Sequence, residues 1–308
     1  MMQDDKLFER LLEEVADLHG VPQGAYNIRL NGQSAGRNNS ANIDIVTKED
    51  KPGIDIIIKP GTKNESIHIP ALVTRENVHD LVYNDFYIGD DSDIVIVAGC
   101  GIHNSGSEMS EHNGVHRFVV GKNARVKYIE KHIGMGEGTG ERIINPQTII
   151  EAGENSYLEF ETTQLKGVDS TIRTTKATAE AGATVIVKEK ILTHGKQYAE
   201  TYFEIDLNGD GASSNVVSRS VAKDNSKQKF VSVLNGNAKC AGHSECDSII
   251  MDNGVVTALP EITANNVDAS LIHEAAIGKI AGEQIIKLMT LGLTEEEAEA
   301  QIVNGFLK

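Results

Sequence analysis

The chain has no tryptophan, and aromatic residues make up only 5% of its 308 positions. A core built mainly on aromatic rings is therefore not expected. Layers of Val, Ile, Leu and Ala, broken by turns at many of the 29 glycines, take its place. Cysteine is scarce and odd in number: Cys100, Cys240 and Cys246. Three thiols do not make a disulfide scaffold. They fit a reducing cytosol, where they are free to act as metal or sulfur ligands. No Lys/Arg run occurs, and 29 basic against 45 acidic side chains give a net charge of −16. Such a field repels phosphates, so neither nucleic acid nor an anionic membrane is an expected partner. No apolar run approaches the ~18–20 residues that span a bilayer; Ile94-Val95-Ile96-Val97-Ala98 is typical. The start, MMQDDKLFER, lacks a basic segment leading into an apolar one, so no secretory signal is visible and a cytoplasmic location is expected. A hydrophobic content of 40% is enough for a sizeable core and excludes a wholly disordered chain.

Residues 3–19 read as an amphipathic helix, with Leu7, Phe8, Leu11, Leu12, Val15 and Leu18 at spacings of three and four before Gly20 and Pro22. From residue 24 the period changes to that of short strands such as Ile43-Asp44-Ile45 and Ile54 to Ile58. Beyond residue 80 a longer rhythm sets in, in which Val-, Ile-, Phe- and Tyr-rich runs straddle a Gly- or Asn-containing corner. Gly121, Gly153, Gly182, Gly209 and Gly236 follow one another at 32, 29, 27 and 27 residues. A drifting period of this size marks stacked units that cannot bury their apolar faces alone. No helical pattern lies between the strands, which argues against a doubly wound α/β sheet. A β-solenoid and a large antiparallel sandwich remain, and the recurring corners favour the solenoid. After Pro260 the texture turns helical. His273 to Leu293 carries apolar residues at helical spacing, Gly292 closes that helix, and Thr294 with Glu297 forms a capping box that opens a second one. The expected organisation is an N-terminal helix with short strands over 1–75, a solenoid core over 76–271 and a helical segment over 272–308.

Three groups of residues carry potential chemistry. Cys100 and His103, followed by Glu111, His112, His116 and later His132, show the C-x2-H and H-x3-H spacings of a zinc or iron site; hydrogen-bonded imidazoles in strands are the plainer reading. Cys240, His243 and Cys246 lie within seven residues and can share a metal or hold sulfur, unless a thiol serves only as a small buried hydrophobe. His273-Glu274 is in isolation no more than a helix-start pair. The Gly134-Met-Gly136-Glu-Gly138-Thr-Gly140-Glu141 run lacks the Lys-Ser/Thr of a phosphate loop and reads as structural. No G-x-S-x-G elbow or H-E-x-x-H motif appears, so an enzyme of self-contained hydrolytic type is unsupported.

Several stretches together resemble the SufB/SufD family of iron–sulfur cluster assembly proteins. They are Tyr26-Asn27-Ile28-Arg29, Asn84-Asp85-Phe86-Tyr87-Ile88-Gly89, Ser218-Arg219-Ser220-Val221-Ala222 and Gly242-His243-Ser244-Glu245-Cys246-Asp247-Ser248. Pro260-Glu261-Ile262, His273-Glu274-Ala275 and Gly292-Leu293 with Glu297-Ala298 and Gly305-Phe306 complete the match, which is best over 80–308. The resemblance implies a mainly β fold, a right-handed parallel β-helix, in a non-catalytic scaffold. It implies that the C-terminal segment, 273–308, binds SufC, an ABC-type ATPase whose closure rearranges the scaffold and exposes its ligands. It implies a transient iron–sulfur cluster, and pairing through β-helix edges as a homodimer or a SufB/SufD-type heterodimer. Residue by residue, it gives a ligand role to His273 and Glu274 and matches Cys246 to the Cys-Asp-Ser segment. The SufB cysteine credited with accepting sulfur falls within Ile249 to Ile272, which holds no cysteine here, and Leu271 stands where SufD members carry one. Cys240 and Cys246, with His243 between them, remain the nearby donors. The rival expectations are a permanent mononuclear zinc or iron ion on Cys100, His103, His112 and His116, and a SufC adaptor with no cluster of its own.

Overall fold

The computed structural model describes residues 2–20 and 22–308, with side chains from residue 6 onward. Among these, the strands form two ten-stranded sheets that the chain visits alternately, giving a parallel β-solenoid of about eight turns. The alternation of side chains along each strand explains why the chain coils. Thr184–Thr193 and Tyr198–Leu207 bury every second residue, placing Val185, Val187, Ala199, Phe203 and Ile205 inside and Lys188, Lys190, Glu200 and Glu204 outside. Each strand pairs in parallel with the one a full turn later. Glu189 thus lies beside Ser218, and Phe86 beside Phe118. That pairing stacks the Phe86 and Phe118 rings at 4.5 Å, and Tyr128 and Phe160 pack edge-on or tilted around them. Four core aromatics thus meet in one stretch, and Phe203 and Phe230 form a second pair further along an otherwise aliphatic core.

The corners use residues that tolerate a left-handed backbone. Asp91, Asn123, Asn155, Gly182 and Gly211 occupy one recurring corner with φ between 56° and 77°. Asn and Asp therefore share that place with glycine. Gly209 has a different role: a Cβ there would lie 2.0 Å from the Ala181 nitrogen one rung below. The Gly-rich run ending at Gly140 is likewise structural. Cβ atoms on Gly138 and Gly140 would fall 2.3 and 2.1 Å from the carbonyl oxygens of Gly106 and Glu108.

The two ends of the coil differ. At the N-terminal end, Gln33–Asn38 and Ile43–Thr47 add to the sheets in antiparallel fashion and close them with short hairpin strands. Helix α1 (Met2–Ala16) lies along the first sheet, with Leu11, Leu12 and Val15 buried against Ile28, Leu72, Ile133 and Met135. Gly99 permits this approach, since a Cβ there would meet the Val15 carbonyl oxygen at 2.3 Å. At the C-terminal end, Val255–Ala264 and Ser270–Gly278 are each paired in parallel on one side only and are largely exposed. Helices α2 (Gly282–Met289) and α3 (Glu295–Phe306) do not cover this end. Val303, Phe306 and Leu307 pack instead on the rung corners at Leu192, Val221 and Ile249. The Thr294–Glu297 capping box forms as its sequence implies. Among the described residues, no helix is long and apolar enough to cross a membrane.

Two expectations need correction. His273 and Glu274 do not head a helix; they lie mid-strand in Ser270–Gly278, and helix α2 starts only at Gly282. Nine consecutive register pairs with the preceding rung's strand, Ala241–Ile250, from Ala241↔Ser270 to Ile249↔Gly278, outweigh a helical spacing that Ala and Ile also satisfy as a strand. The coil is also longer than expected. Parallel pairing begins at Ala25↔Ile67 and ends at Gly278, so positions 76 and 272 both fall inside it.

Candidate functional site

The first sequence cluster falls within the N-terminal half of the coil. His112, Gly114 and His116 alternate on the inward face of Ser110–Val120. A Cβ on Gly114 would sit 3.7 Å from His112 Nε2 and 3.1 Å from His116 Nε2, so the glycine makes room for two imidazoles. Their nitrogens are engaged from neighbouring rungs. His112 Nδ1 lies 2.9 Å from Asp80 Oδ2, and Arg29 donates to both oxygens of Asp80 at 2.8 and 2.6 Å. His116 Nδ1 is 2.7 Å from the Tyr128 hydroxyl, which donates to Glu130 Oε1 at 2.9 Å, and Asn84 Nδ2 is 3.2 Å from His116 Nε2. Arg173 donates to Glu130 Oε2 at 2.6 Å and lies 3.2 Å from His132 Nδ1. Glu189 follows on the next rung, accepting from Ser218 at 2.8 Å.

Burial sets the electrostatics of this interior. It depresses His116 to about 4 and lowers His132, so both rings are neutral near pH 7. Burial also opposes ionisation of Glu130, but Arg173 and then His132 outweigh it and hold the carboxyl well below its usual range. Arg29 and His112 do the same for Asp80. Glu189 goes the other way, pushed up chiefly by burial despite Arg173 and Ser218. Cys100 is buried among Ala71, Val73, Ile102, Ile144 and Val168, in register with His132, and its thiol is pushed up by burial and then by Glu130. His103 stands apart, with Nε2 2.8 Å from the Ser105 hydroxyl. Cys100, His103, His112 and His116 are thus not drawn into a ligand set among the described residues. Sequence reading missed Arg173, Glu130 and Glu189, although charges at inward positions of otherwise apolar or Thr-rich strands were a visible signal.

The second group lies at the open end, where strand alternation divides it. On Ala241–Ile250, Ser244 and Cys246 face the interior while His243 and Glu245 face outward. On the last strand, His273 pairs with Ser244 and Glu274 with Glu245, so His273 shares the inward face of Cys246 and Glu274 does not. Cys240 and Cys246 are both buried in the apolar core, and burial pushes the Cys246 thiol up to about 11. His273 is half-buried, yet both of its ring nitrogens are shielded from solvent and lack a hydrogen-bond partner. Its pKa is lowered by burial and then by His243. On the outward face, His243, Glu245 and Glu274 bring one donor atom each to within 4.8 Å of one another. Glu245 is pushed up by burial and then by its hydrogen bond to Asp247. Glu245 was missed by sequence reading; its parity with His243 was legible, its pairing with Glu274 was not.

Comparison with known proteins accords with this architecture. The family model described as SUF system FeS cluster assembly, SufBD core domain, matches residues 82–306. An iron–sulfur cluster assembly SufBD family protein of Methanothermobacter thermautotrophicus is 30% identical over 83% of this chain and 62% of its own length. One from Methanocaldococcus jannaschii is 29% identical over 82% of this chain and 79% of its own. The iron–sulfur cluster assembly protein SufB of Bacillus subtilis is 26% identical over 83% of this chain, which spans 55% of that protein. The chain thus covers less than two thirds of several curated relatives. With most of its solenoid and both C-terminal helices inside the matched region, it belongs to the SufBD family of iron–sulfur cluster assembly proteins.

Proposed function

We propose that the chain is a non-catalytic scaffold of a cytoplasmic SUF-type assembly complex, and that it holds a nascent iron–sulfur cluster transiently at the open end of the coil. One observation carries this reading: His273 presents two shielded ring nitrogens without partners on the inward face that it shares with Cys246. A buried imidazole is normally hydrogen-bonded, and thiolate with imidazole is a donor set suited to iron and sulfide. Cys240, Cys246 and His273 form the inward part of the site. His243 and Glu274, expected in the same set, stand on the other side of the sheet and reach a cluster only around the free strand edge. Because both sulfur atoms are buried, loading requires the last rungs to open.

A SufC-like ATPase is the natural source of that opening. Helix α2 buries none of its side chains, and Ile286, Met289 and Leu291 are exposed beside it, an apolar surface suited to docking. The unpaired edges, with Leu259 and Ile272 about half exposed, suit pairing with a second copy or a related chain. Anaerobic reconstitution with Fe2+ and sulfide tests the reading. Charge-transfer absorption is expected for the full chain and is lost in His273→Ala and in the Cys240→Ser/Cys246→Ser double variant. Full colour in both variants overturns it. A second reading, an adaptor without its own cluster, is favoured by the core burial of both thiols. It predicts co-purification with the ATPase and no colour under any loading condition.

A further inference from the structure

The outward face of the last two rungs carries a donor set unlike the inward one. His243 and Glu245 project from the same side of Ala241–Ile250, and the register sets Glu274 directly opposite Glu245. Like charges placed directly opposite on neighbouring strands repel. Among the described residues, the salt-bridge contact of Glu274 is His243, at 3.6 Å, and no lysine or arginine bridges either carboxylate. Arg219, in register with Asp247 on the neighbouring rung, acts on Glu245 from a distance and is in salt-bridge contact with neither glutamate. The imidazole is poised to help supply the site. His243 Nδ1 lies 3.0 Å from Asn215 Oδ1, which can only accept, so Nδ1 carries the proton and Nε2 keeps its lone pair. It is that Nε2 which faces Glu274 Oε2. An outer partner that fixes the tautomer of a histidine is the usual support of a metal ligand.

We propose that His243, Glu245 and Glu274 form a site for one divalent first-row ion of the Fe2+, Mn2+ or Zn2+ class, on the outer face of the coil and separate from the inward thiols. Donor atoms already within 4.8 Å of one another need only small side-chain rotations to converge at bond lengths of about 2.0–2.2 Å. One imidazole and two carboxylates, without thiolate, select such ions over soft ones. Three protein ligands on a surface leave coordination positions to water, so the ion is exchangeable. His243 and Glu274 also belong to the expected cluster set, so the proposal overlaps that reading at two residues; Glu245, which has no part in it, tells the two apart.

Co2+ is the probe, titrated anaerobically into the chelator-treated full chain while its d–d absorption is followed. One Co2+ per chain is expected. Glu245→Gln weakens binding more than tenfold, and Asn215→Ala, which frees the imidazole, weakens it on the order of tenfold. Glu245 is outward-facing, so circular dichroism of Glu245→Gln matches that of the parent. The Cys240→Ser/Cys246→Ser and His273→Ala variants bind Co2+ as the parent does, even though both lose the reconstituted cluster. Absence of bound Co2+ in the parent chain, or undiminished binding by Glu245→Gln, overturns the proposal. Loss of binding in the double cysteine variant also overturns it, by moving the ion to the thiols.

Discussion

Two histidine-bearing regions of one coil, both inward-facing in part, differ in how fully their imidazoles are engaged. In the N-terminal half, His112 and His116 are engaged by Asp80, Tyr128 and Asn84, and the chain of contacts continues through Glu130 to Arg173. At the open end, among the described residues, His273 has no partner at either nitrogen, and His243 keeps its Nε2 free of any hydrogen bond. The first region has ligand-like spacing in sequence, and where a ring nitrogen is left over, as at His132 Nε2, it sits 3.4 Å from the Glu130 carboxylate inside the network. The second has weaker spacing and unengaged donors. What separates a structural histidine from a functional one here is the neighbouring rung, which brings Asp80 to His112 across 32 positions and brings nothing to His273.

The largest expected effect lies in the engaged region. Arg173→Met leaves Glu130 charged and fully buried without its cation, which costs about 3–5 kcal/mol in urea unfolding. The Arg173→Met/Glu130→Gln double variant recovers a large part of that loss, because the uncompensated charge goes with its partner. A loss below about 1 kcal/mol for the single variant would show that the interior network is not under this constraint.

A pH series is the next largest effect. His116 titrates near 6.5 in an unfolded chain and at about 4 in the fold, so the folded state refuses a proton that the unfolded state accepts. Its contribution is complete above pH 6.5 and is lost as pH falls towards 4, by about 3 kcal/mol in all. His132, also lowered, acts in the same direction. Glu189, raised by burial, acts in the opposite one: its contribution is present at low pH and is lost as pH rises through its elevated pKa. Urea midpoints measured between pH 7 and 4 therefore fall for the parent chain and fall less for His116→Gln. Identical slopes would remove His116 from the account.

Much of the fold was legible because its causes are local. The alternation in Thr184–Thr193, the αL corners at Asn123 and Asn155, and the Thr294–Glu297 box each follow from a few adjacent residues. The site was legible only in part, because its causes are not local. Rung length drifts, so the register that sets Glu245 opposite Glu274 and Ser244 opposite His273 is fixed by stacking and has no mark in the sequence. The same stacking turned a helical spacing at His273 into a strand. It also divided the expected set of Cys240, His243, Cys246, His273 and Glu274 between two faces of one sheet.

A smaller effect belongs to the helices beside the open end. Thr294→Ala removes the hydroxyl that accepts from the Glu297 amide and costs about 1 kcal/mol. Helix α3 rests on the coil through Val303, Phe306 and the C-cap Leu307, so the loss should appear as faster amide exchange within 295–306 while exchange in the rungs is unchanged. Uniform acceleration across the coil would mean that the helices and the solenoid unfold as one unit.

The smallest effect is the most telling for the comparison. His273→Ala removes a side chain that has no hydrogen bond to lose and whose shielded nitrogens carry an uncompensated desolvation cost. Stability should therefore change by no more than about 0.5 kcal/mol, with a gain as acceptable as a loss. His116→Ala at the other end vacates a buried position, removes the ring's contact with the Tyr128 hydroxyl and strands the Asn84 amide, so it belongs with the losses of several kcal/mol seen for buried networks. Equal losses for the two variants would mean that His273 has a structural partner in solution, and the contrast between the two ends would disappear. A near-zero change at His273, joined to loss of the reconstituted chromophore, would identify an imidazole held in place for a ligand and not for the fold.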